Sequence, residues 1–122
     1  MAIEKTALGN IPSLKASEKN RVGNLDCSKA RTVNISCRVT YGNATKAVRV
    51  NLYYSPDGTH YDTVPFSYFN VDLTASTTVQ ETHIFDFPEI GYMDVEVENL
   101  DTSVTATNVM VFSNAIKWPE EK

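Results

Sequence analysis

The chain has 122 residues, of which 42% are hydrophobic and 21% charged, and its formal net charge is −4. This length fits one domain with a core of its own, and the negative charge argues against nucleic-acid binding, which depends mainly on clustered Lys and Arg. The sequence shows neither a membrane-spanning apolar run nor the basic and apolar regions of a secretory signal, so we expect cytoplasmic synthesis and no membrane partner.

The first twenty residues show no clean hydrophobic period. Their apolar side chains stand apart among Gly9, Pro12 and polar residues; these side chains are Ile3, Leu8, Ile11 and Leu14. We interpret residues 1–20 as an extended N-terminal arm that becomes ordered against a partner or a neighbouring subunit, which makes the four side chains candidate contacts. The alternative is a first edge strand around residues 11–16 that packs on its own domain.

Residues 21–118 have the pattern of a β-domain. A short strand is predicted over residues 21–27 and a stronger one over residues 31–41, where alternate positions are apolar. The alternating set is Val33, Ile35, Cys37, Val39 and Tyr41. The only cysteines, Cys27 and Cys37, are too few for a disulfide scaffold or a zinc cluster. We expect Cys37 in the core, and a disulfide between the two cysteines stays open.

The stretch 47–66, AVRVNLYYSPDGTHYDTVPF, indicates a strand, a tight turn and a returning strand. Apolar or aromatic side chains alternate in its first half; they are Val48, Val50, Leu52 and Tyr54. In the turn 55–58, Pro56 fixes its φ angle, Asp57 caps the backbone and Gly58 takes a positive φ. Pro65 lacks an N–H, which favours a sheet edge for the returning strand.

The second half continues in the same way. Residues 67–77 are predicted to be a long connection with a short strand. Residues 78–87 are predicted to form a strand whose inward face stays open, because apolar residues fall on both parities; they are Val79, Ile84, Phe85 and Phe87. Residues 92–99 alternate strictly, with Met93, Val95 and Val97 predicted inward and Asp94, Glu96 and Glu98 outward.

The last predicted strand, over residues 105–116, is apolar on both parities. Such a run suits a central strand covered on both faces or a strand at a subunit contact, so Met110, Phe112 and the following Trp118 are further candidate contacts. Residues 119–122 are interpreted as a tail. Together these segments give about seven or eight strands with turn signals between them, which predicts an all-β fold: a two-sheet antiparallel sandwich of jelly-roll or Greek-key type.

No catalytic motif is recognisable in the sequence. His60 and His83 are the only histidines, and neither has a Cys, Asp or Glu at metal-ligand spacing on a shared scaffold. Motifs for phosphate loops, zinc proteases and serine hydrolases are absent. The outward carboxylates at 94, 96 and 98 are interpreted as a solvated surface, and a hydrolase using Glu96 or Glu98 is the least favoured hypothesis. We therefore predict a protein that is not an enzyme and needs no cofactor or metal.

Several aromatic residues suggest a different binding role. Exposed aromatic rings on a β-sandwich can stack on sugar rings, and the candidates here are Tyr53, Tyr61 and Trp118. A carbohydrate-binding or adhesin-like module is therefore the alternative function. Core and interface packing would explain the same residues without a ligand.

Two segments together resemble small β-sandwich proteins of tailed-phage virions, a group that includes capsid decoration (cement) proteins and related head or tail accessory proteins. The segments are VNLYYSPDGTHYDT and GYMDVEVENLDTSVTATNVMVF, and the shared pattern is a strand, an S-P-D-G turn, a strand and a late hairpin turning at N-L-D. The resemblance covers roughly residues 25–118. It implies a non-enzymatic virion protein that docks on a capsid or tail lattice, stabilises it, and self-associates, often as a trimer, with a terminal arm on its neighbours. Head or tail position stays open.

Overall fold

The computed structural model describes residues 2–86 and 91–117. Over these ranges the chain forms eight strands: β1 Ala2–Leu14, β2 Lys19–Asp26, β3 Ala30–Thr40, β4 Val48–Ser55, β5 Ser67–Asn70, β6 Thr78–Asp86, β7 Tyr92–Asn99 and β8 Ala106–Lys117. The same ranges contain no helix with the length and hydropathy that a membrane crossing requires.

The strands form two antiparallel sheets of four. Sheet A has the order β1-β8-β3-β6, and sheet B has the order β2-β7-β4-β5. The pairs β1–β8, β2–β7, β3–β6 and β4–β5 are all hydrogen-bonded neighbours, as in a long antiparallel ribbon rolled into a sandwich. This is the strand order of a jelly roll, and the predicted two-sheet sandwich is confirmed.

The core lies between the two sheets and follows the predicted alternation. Its largest fully buried side chains are Leu14, Ile35, Leu52, Met93, Val33, Val39, Val48, Val50, Val71, Val95, Val97 and Val109. Fully burying one such side chain contributes about 1.5–3 kcal/mol relative to its exposed state. Cys27 and Cys37 are both buried, and they form no disulfide. Burial raises the pKa of the Cys37 thiol to about 12, which keeps it protonated at neutral pH.

Residues 2–14 belong to sheet A, which corrects the expectation of an arm over residues 1–20. The strand β1 pairs with β8 from Ala2↔Lys117 to Leu14↔Ala106, and Leu14 is completely buried. A register shift between Ala7 and Gly9 interrupts the pairing. Because a bulge changes which side chains face the core, it explains why no period was visible in the sequence. The first strand of the alternative interpretation is present, but it starts at Ala2 and not near residue 11.

The turn after β4 forms as predicted. The Ser55 hydroxyl accepts a hydrogen bond from the Gly58 N–H at 2.9 Å, and the Asp57 carboxylate accepts bonds from the N–H groups of Thr59 and His60, both at 2.8 Å. Gly58 has a φ of 78°, a conformation that other residues rarely adopt. The turn was predictable from four consecutive residues because each of them restricts the backbone conformation by itself.

The returning strand begins later than predicted. Residues 59–66 form an irregular connection that touches β4 through two backbone bonds, from Asp62 N to Tyr54 O and from Phe66 N to Leu52 O, each 2.9 Å long. Regular pairing starts only with β5. The strand β5 lies at the edge of sheet B directly after Pro65 and Phe66, so the predicted edge position is correct although the predicted boundary is not.

The structure shows which side of β6 faces the core and how much of β8 is covered, both of which the sequence left open. In β6, Val79 and Phe85 are partly buried against the core, while Ile84 is 68% exposed; Phe87 lies outside the described residues. The strand β8 is central in sheet A. It buries Val109 and Val111 but leaves Met110 39% exposed, so within this chain only one of its faces is covered.

Candidate interaction surfaces

The outer face of sheet A exposes apolar side chains. Because Val109 and Val111 of β8 point into the core, the alternation of the strand directs Met110, Phe112 and Ile116 outward. The register of β1 and β6 with their neighbours places further apolar residues on the same face. We call this surface the apolar face; its members are Ile3, Ile84, Met110, Phe112 and Ile116.

Few charges lie on the apolar face. The register places Lys5, Arg38 and Asp86 there as its ionisable residues. Most of the remaining positions are small polar residues that bond to each other, such as Ser36 and Thr82, whose hydroxyl oxygens lie 2.6 Å apart. Depletion of charge together with exposed apolar side chains is typical of a surface that contacts another protein.

Three of the candidate contacts from the sequence lie on the apolar face. Ile3 is 67% exposed and Met110 is 39% exposed, while Phe112 is half-buried beside its outward neighbours. The pairing of β1 with β8 sets Ile3 opposite Ile116, on the same face of the sheet as Met110 and Phe112. Their contact with a partner stays a prediction.

The other candidate contacts have different positions. Leu8 and Ile11 are partly buried and pack against the core. Leu14 is completely enclosed, so we remove it from the candidate contacts because a partner could not reach it. Trp118 lies outside the described residues.

The outer face of sheet B is a hydrogen-bonded polar network centred on Glu96. This side chain is only 6% exposed. Its Oε1 accepts hydrogen bonds from the Tyr53 hydroxyl at 2.9 Å and from Asn51 Nδ2 at 3.1 Å, and its Oε2 accepts one from Arg21 Nε at 3.1 Å. The donors come from β2 and β4, which flank β7 on either side. We call these residues, together with Asp94, the polar network.

Arg21 links the network electrostatically. Its guanidinium forms an ion pair with Asp94 and lies over the Tyr53 ring, 3.9 Å from the ring centroid. Burial works to lower the pKa of Arg21, but the hydrogen bond and charge of Asp94 outweigh it, so the pKa is raised. Burial, with the hydrogen bond to Glu96, raises the pKa of the Tyr53 hydroxyl. The prediction that the carboxylates of β7 form a solvated surface is therefore wrong for Glu96.

This arrangement does not resemble a hydrolytic centre. Asp94, Glu96 and Glu98 stand on one strand, whereas glycoside hydrolysis needs two carboxyl groups that face each other across a cleft. Both oxygens of Glu96 are already occupied by donors. Among the residues that the structure describes, no group of three or more His, Cys, Asp or Glu is placed to bind a metal ion.

The aromatic residues differ in their access to solvent. Tyr53 is 6% exposed and covered by Arg21, so we remove it from the candidates for sugar stacking. Tyr61 is half-buried; burial, and then the charge of Asp94, raises the pKa of its hydroxyl. Among the tyrosines that the structure describes, Tyr68 of β5 has an exposed ring, with 58% of the residue accessible.

Tyr68 was missed as a stacking candidate in the sequence, although alternation with the buried Phe69 gives the signal. The Arg49 guanidinium lies 4.4 Å from the centroid of the Tyr68 ring. Arg49 Nε also donates to Asn70 Oδ1 at 3.1 Å. An exposed ring with a fixed guanidinium and an amide beside it offers both stacking and hydrogen bonding to a ligand.

Both histidines form local pairs with carboxylates. His60 Nδ1 lies 2.7 Å from Asp57 Oδ2 in the turn, and His83 Nε2 lies 2.5 Å from Glu81 Oε2 on β6. The His83 ring also stacks on Phe69 of sheet B, with 4.1 Å between ring centroids. Each pair lies within one element of the fold, the turn after β4 for His60 and the strand β6 for His83.

Comparison with known proteins shows the fold alone. No family model and no curated protein matches the sequence. Among solved structures, the chain is similar to the VP2 subviral particle of infectious bursal disease virus, with a TM-score of 0.56 and 8% identity over 95% of this chain and 33% of that one. The chain therefore spans about a third of the length of that capsid protein.

Two further similarities cover most of both chains. The CBM36-1 domain of a multidomain xylanase from the hindgut metagenome of Trinervitermes trinervoides has a TM-score of 0.56 and 14% identity over 97% of this chain and 100% of that one. A pilus protein of Bacillus endospore appendages has a TM-score of 0.50 and 11% identity over 97% of this chain and 88% of that one. Viral capsid proteins and carbohydrate-binding modules thus share this β-sandwich fold.

Proposed function

We propose that the chain is a non-enzymatic structural protein of a tailed-phage virion that docks on a capsid or tail lattice and stabilises it through protein–protein contacts. The observation that supports this most directly is the apolar face, where Ile3 and Ile84 are 67% and 68% exposed on one side of sheet A. Apolar side chains displayed together on a charge-poor surface gain free energy when a partner removes them from water.

The location of this surface fits a lattice protein. All four of its strands have side chains in the core or packed against it on their inner side, so docking needs no rearrangement of the sandwich. The resemblance to decoration and accessory proteins and the fold shared with a viral capsid protein point in the same direction. In this proposal the protein is located in the virion and its partners are capsid or tail proteins. Self-association on the particle, as the trimer that the resemblance implies, is part of the proposal.

The test uses particles of the phage that encodes the chain, prepared with its gene deleted. Purified protein is mixed with these particles and co-sedimented. We expect the wild-type protein to bind and Ile84→Lys to lose most of its binding, because a charge enters the apolar face. The matched control is Val64→Lys, since Val64 is 71% exposed but lies in the connection before β5. Equal binding by both variants would remove the apolar face as the docking surface.

The same preparation tests the broader proposal. Mass spectrometry of unmodified particles should find the chain in stoichiometric amounts after extensive washing. Its absence from purified particles, combined with no rebinding to the deleted ones, would contradict a virion role altogether.

A second candidate function is carbohydrate binding through sheet B. The specific observation is the Tyr68 ring, which is 58% exposed and flanked by Arg49 and Asn70. Affinity electrophoresis against soluble polysaccharides tests it: retardation should be lost in Tyr68→Ala and kept in the control Phe66→Ala, since Phe66 is also exposed, at 43%, but precedes β5. No retardation by any polysaccharide would remove this candidate.

A further inference from the structure

The four edge strands of the sandwich are protected to different degrees. The edge strand β1 is broken by a register shift between Ala7 and Gly9, and β2 by one between Arg21 and Gly23. The third edge strand, β5, has only four residues. Bulges and short length are the usual ways in which proteins prevent an edge strand from pairing with another chain.

The fourth edge strand, β6, has none of these protections. It runs for nine residues, and its side chains alternate between exposed and half-buried without a break from Thr78 to Asp86. Its register with β3 shows no shift from Thr32↔Asp86 to Thr40↔Thr78. The strand contains no proline, glycine or lysine. Its outer edge is therefore a template for a further strand.

The backbone groups that face the open side can be assigned. Tyr41 N donates to Thr77 O at 3.0 Å, which marks this pair as hydrogen-bonded. Because hydrogen-bonded and non-bonded pairs alternate in an antiparallel ladder, the odd positions of β6 bond to β3. The N–H and C=O groups of the even positions point to the open side; these positions are 78, 80, 82, 84 and 86. Among the described residues, no backbone bond outside the ladders reaches them.

The sequence of β6 complements itself when two copies run antiparallel. With a twofold axis at Thr82, each Val79 stands opposite Phe85 of the second copy, and each Glu81 stands opposite His83 of the second copy. Glu81 and His83 already bond within one copy at 2.5 Å. The contact between two copies would therefore bring two such Glu81–His83 pairs together. Apolar pairs directly across two strands are stabilising, and so are opposite charges, which Glu81 and His83 carry when the imidazole is protonated.

Neighbouring registers lack this match. Moving the axis to residue 81 places Glu81 opposite Glu81 of the second copy, which is unfavourable because like charges repel across a strand pair. Moving the axis to residue 83 places His83 opposite His83 of the second copy. Neither histidine then stands opposite Glu81 of the other copy. All three registers pair even positions of β6 with even positions, so the outward backbone groups fit each of them, and the side-chain pairing favours the register centred on Thr82.

We propose that β6 pairs with β6 of a second copy of this chain, joining the two A sheets across a twofold axis at Thr82. This contact is independent of the proposed function, because it requires neither a phage particle nor a glycan. It predicts a dimer of the free protein, whereas the trimer implied by the resemblance would need another contact.

Cysteine cross-linking tests the register. In hydrogen-bonded opposite pairs the two Cα atoms lie about 5.5 Å apart, which is within the range for a disulfide. Thr82→Cys should therefore give a covalent dimer under mild oxidation, seen on a non-reducing gel. The control is Thr78→Cys, on the same strand and face, whose two copies would lie roughly 26 Å apart along the strand. Both threonines lose a similar hydroxyl contact, to Ser36 and Thr40.

Light scattering on a size column provides the independent measurement. We expect the wild-type protein at twice the chain mass of 13.6 kDa, and Thr82→Pro at the single chain mass, because proline removes an outward N–H without breaking the ladder to β3. Circular dichroism checks that Thr82→Pro is folded. If it is unfolded, the comparison of Thr82→Cys with Thr78→Cys tests the proposal instead. Equal cross-linking of both cysteine variants, or a wild-type mass of one or three chains, would overturn the proposal.

Discussion

The two outer faces of the sandwich use their side chains in opposite ways. On sheet B, Glu96 is 6% exposed and its carboxylate accepts bonds from residues of both neighbouring strands. On sheet A, Ile84 is 68% exposed and adds nothing to the core. The polar network therefore stabilises the fold, whereas the apolar face has surface available for a partner.

The largest effect on stability is expected when Glu96, the centre of the polar network, is replaced. Glu96→Ala leaves the buried Tyr53 hydroxyl without its acceptor, and it removes one of the acceptors of Asn51 Nδ2, which keeps Glu98. A buried donor without a partner costs about 1–3 kcal/mol. Urea unfolding should show the free energy of unfolding reduced by about this amount. The matched change on the other face is Ile84→Ala, for which we expect a change within about 0.5 kcal/mol. Equal losses in the two variants would contradict the comparison.

A second hydrogen-bonded carboxylate, Asp101, lies in the loop that connects β7 of sheet B to β8 of sheet A. Asp101 accepts hydrogen bonds from the backbone N–H groups of Thr45, Ser103, Val104 and Lys46, and these bonds, that of Thr45 foremost, lower its pKa to about 2. The pKa of an unfolded Asp is about 3.9. Its contribution to stability is therefore complete above this value and is lost as the pH falls from about 4 to about 2.

The variant Asp101→Asn should lower the melting temperature at neutral pH and should lose less stability than the wild-type protein between pH 4 and pH 2. Thermal unfolding at a series of pH values measures both effects. If the wild-type protein and the variant lose stability in parallel over this interval, then Asp101 does not contribute in the way that its bonds indicate.

The smallest expected effect concerns the exposed ring of sheet B. Tyr68→Ala removes the contact with the Arg49 guanidinium, and such exposed cation–π contacts contribute about 0.5–1 kcal/mol. A double-mutant cycle with Arg49→Ala isolates the pairwise term. A coupling near zero would mean that Tyr68, like Ile84, is a free surface residue, and it would weaken the contrast between the two faces.

The sequence was sufficient where the determinants are local. The prediction for residues 92–99 matches β7 to the residue, because strict alternation specifies both the strand and its buried side. The turn after Ser55 was also predicted correctly, since Pro56, Asp57 and Gly58 each limit the backbone on their own. The two-sheet antiparallel sandwich followed from the number and spacing of such segments, whereas its strand order, which distinguishes a jelly roll from other Greek keys, is seen only in the structure.

The sequence was insufficient where distant strands decide. Glu96 looked like any outward residue of an alternating strand, and only the placement of β2 and β4 beside β7 brings Arg21, Asn51 and Tyr53 to its carboxylate. The strand β1 was missed for a related reason: its bulge after Ala7 removes the period, and its partner β8 lies at the other end of the sequence.

The pairing of β1 with β8 determines when the protein can finish folding on the ribosome. Ile3 pairs with Ile116, so β1 is synthesised long before β8, the strand that satisfies its backbone groups. Contacts between residues far apart in the sequence are slow to form, and until then β1 is exposed to other nascent chains. Sheet A therefore closes only after synthesis has passed β8, and loss of that one strand would release β1 as well.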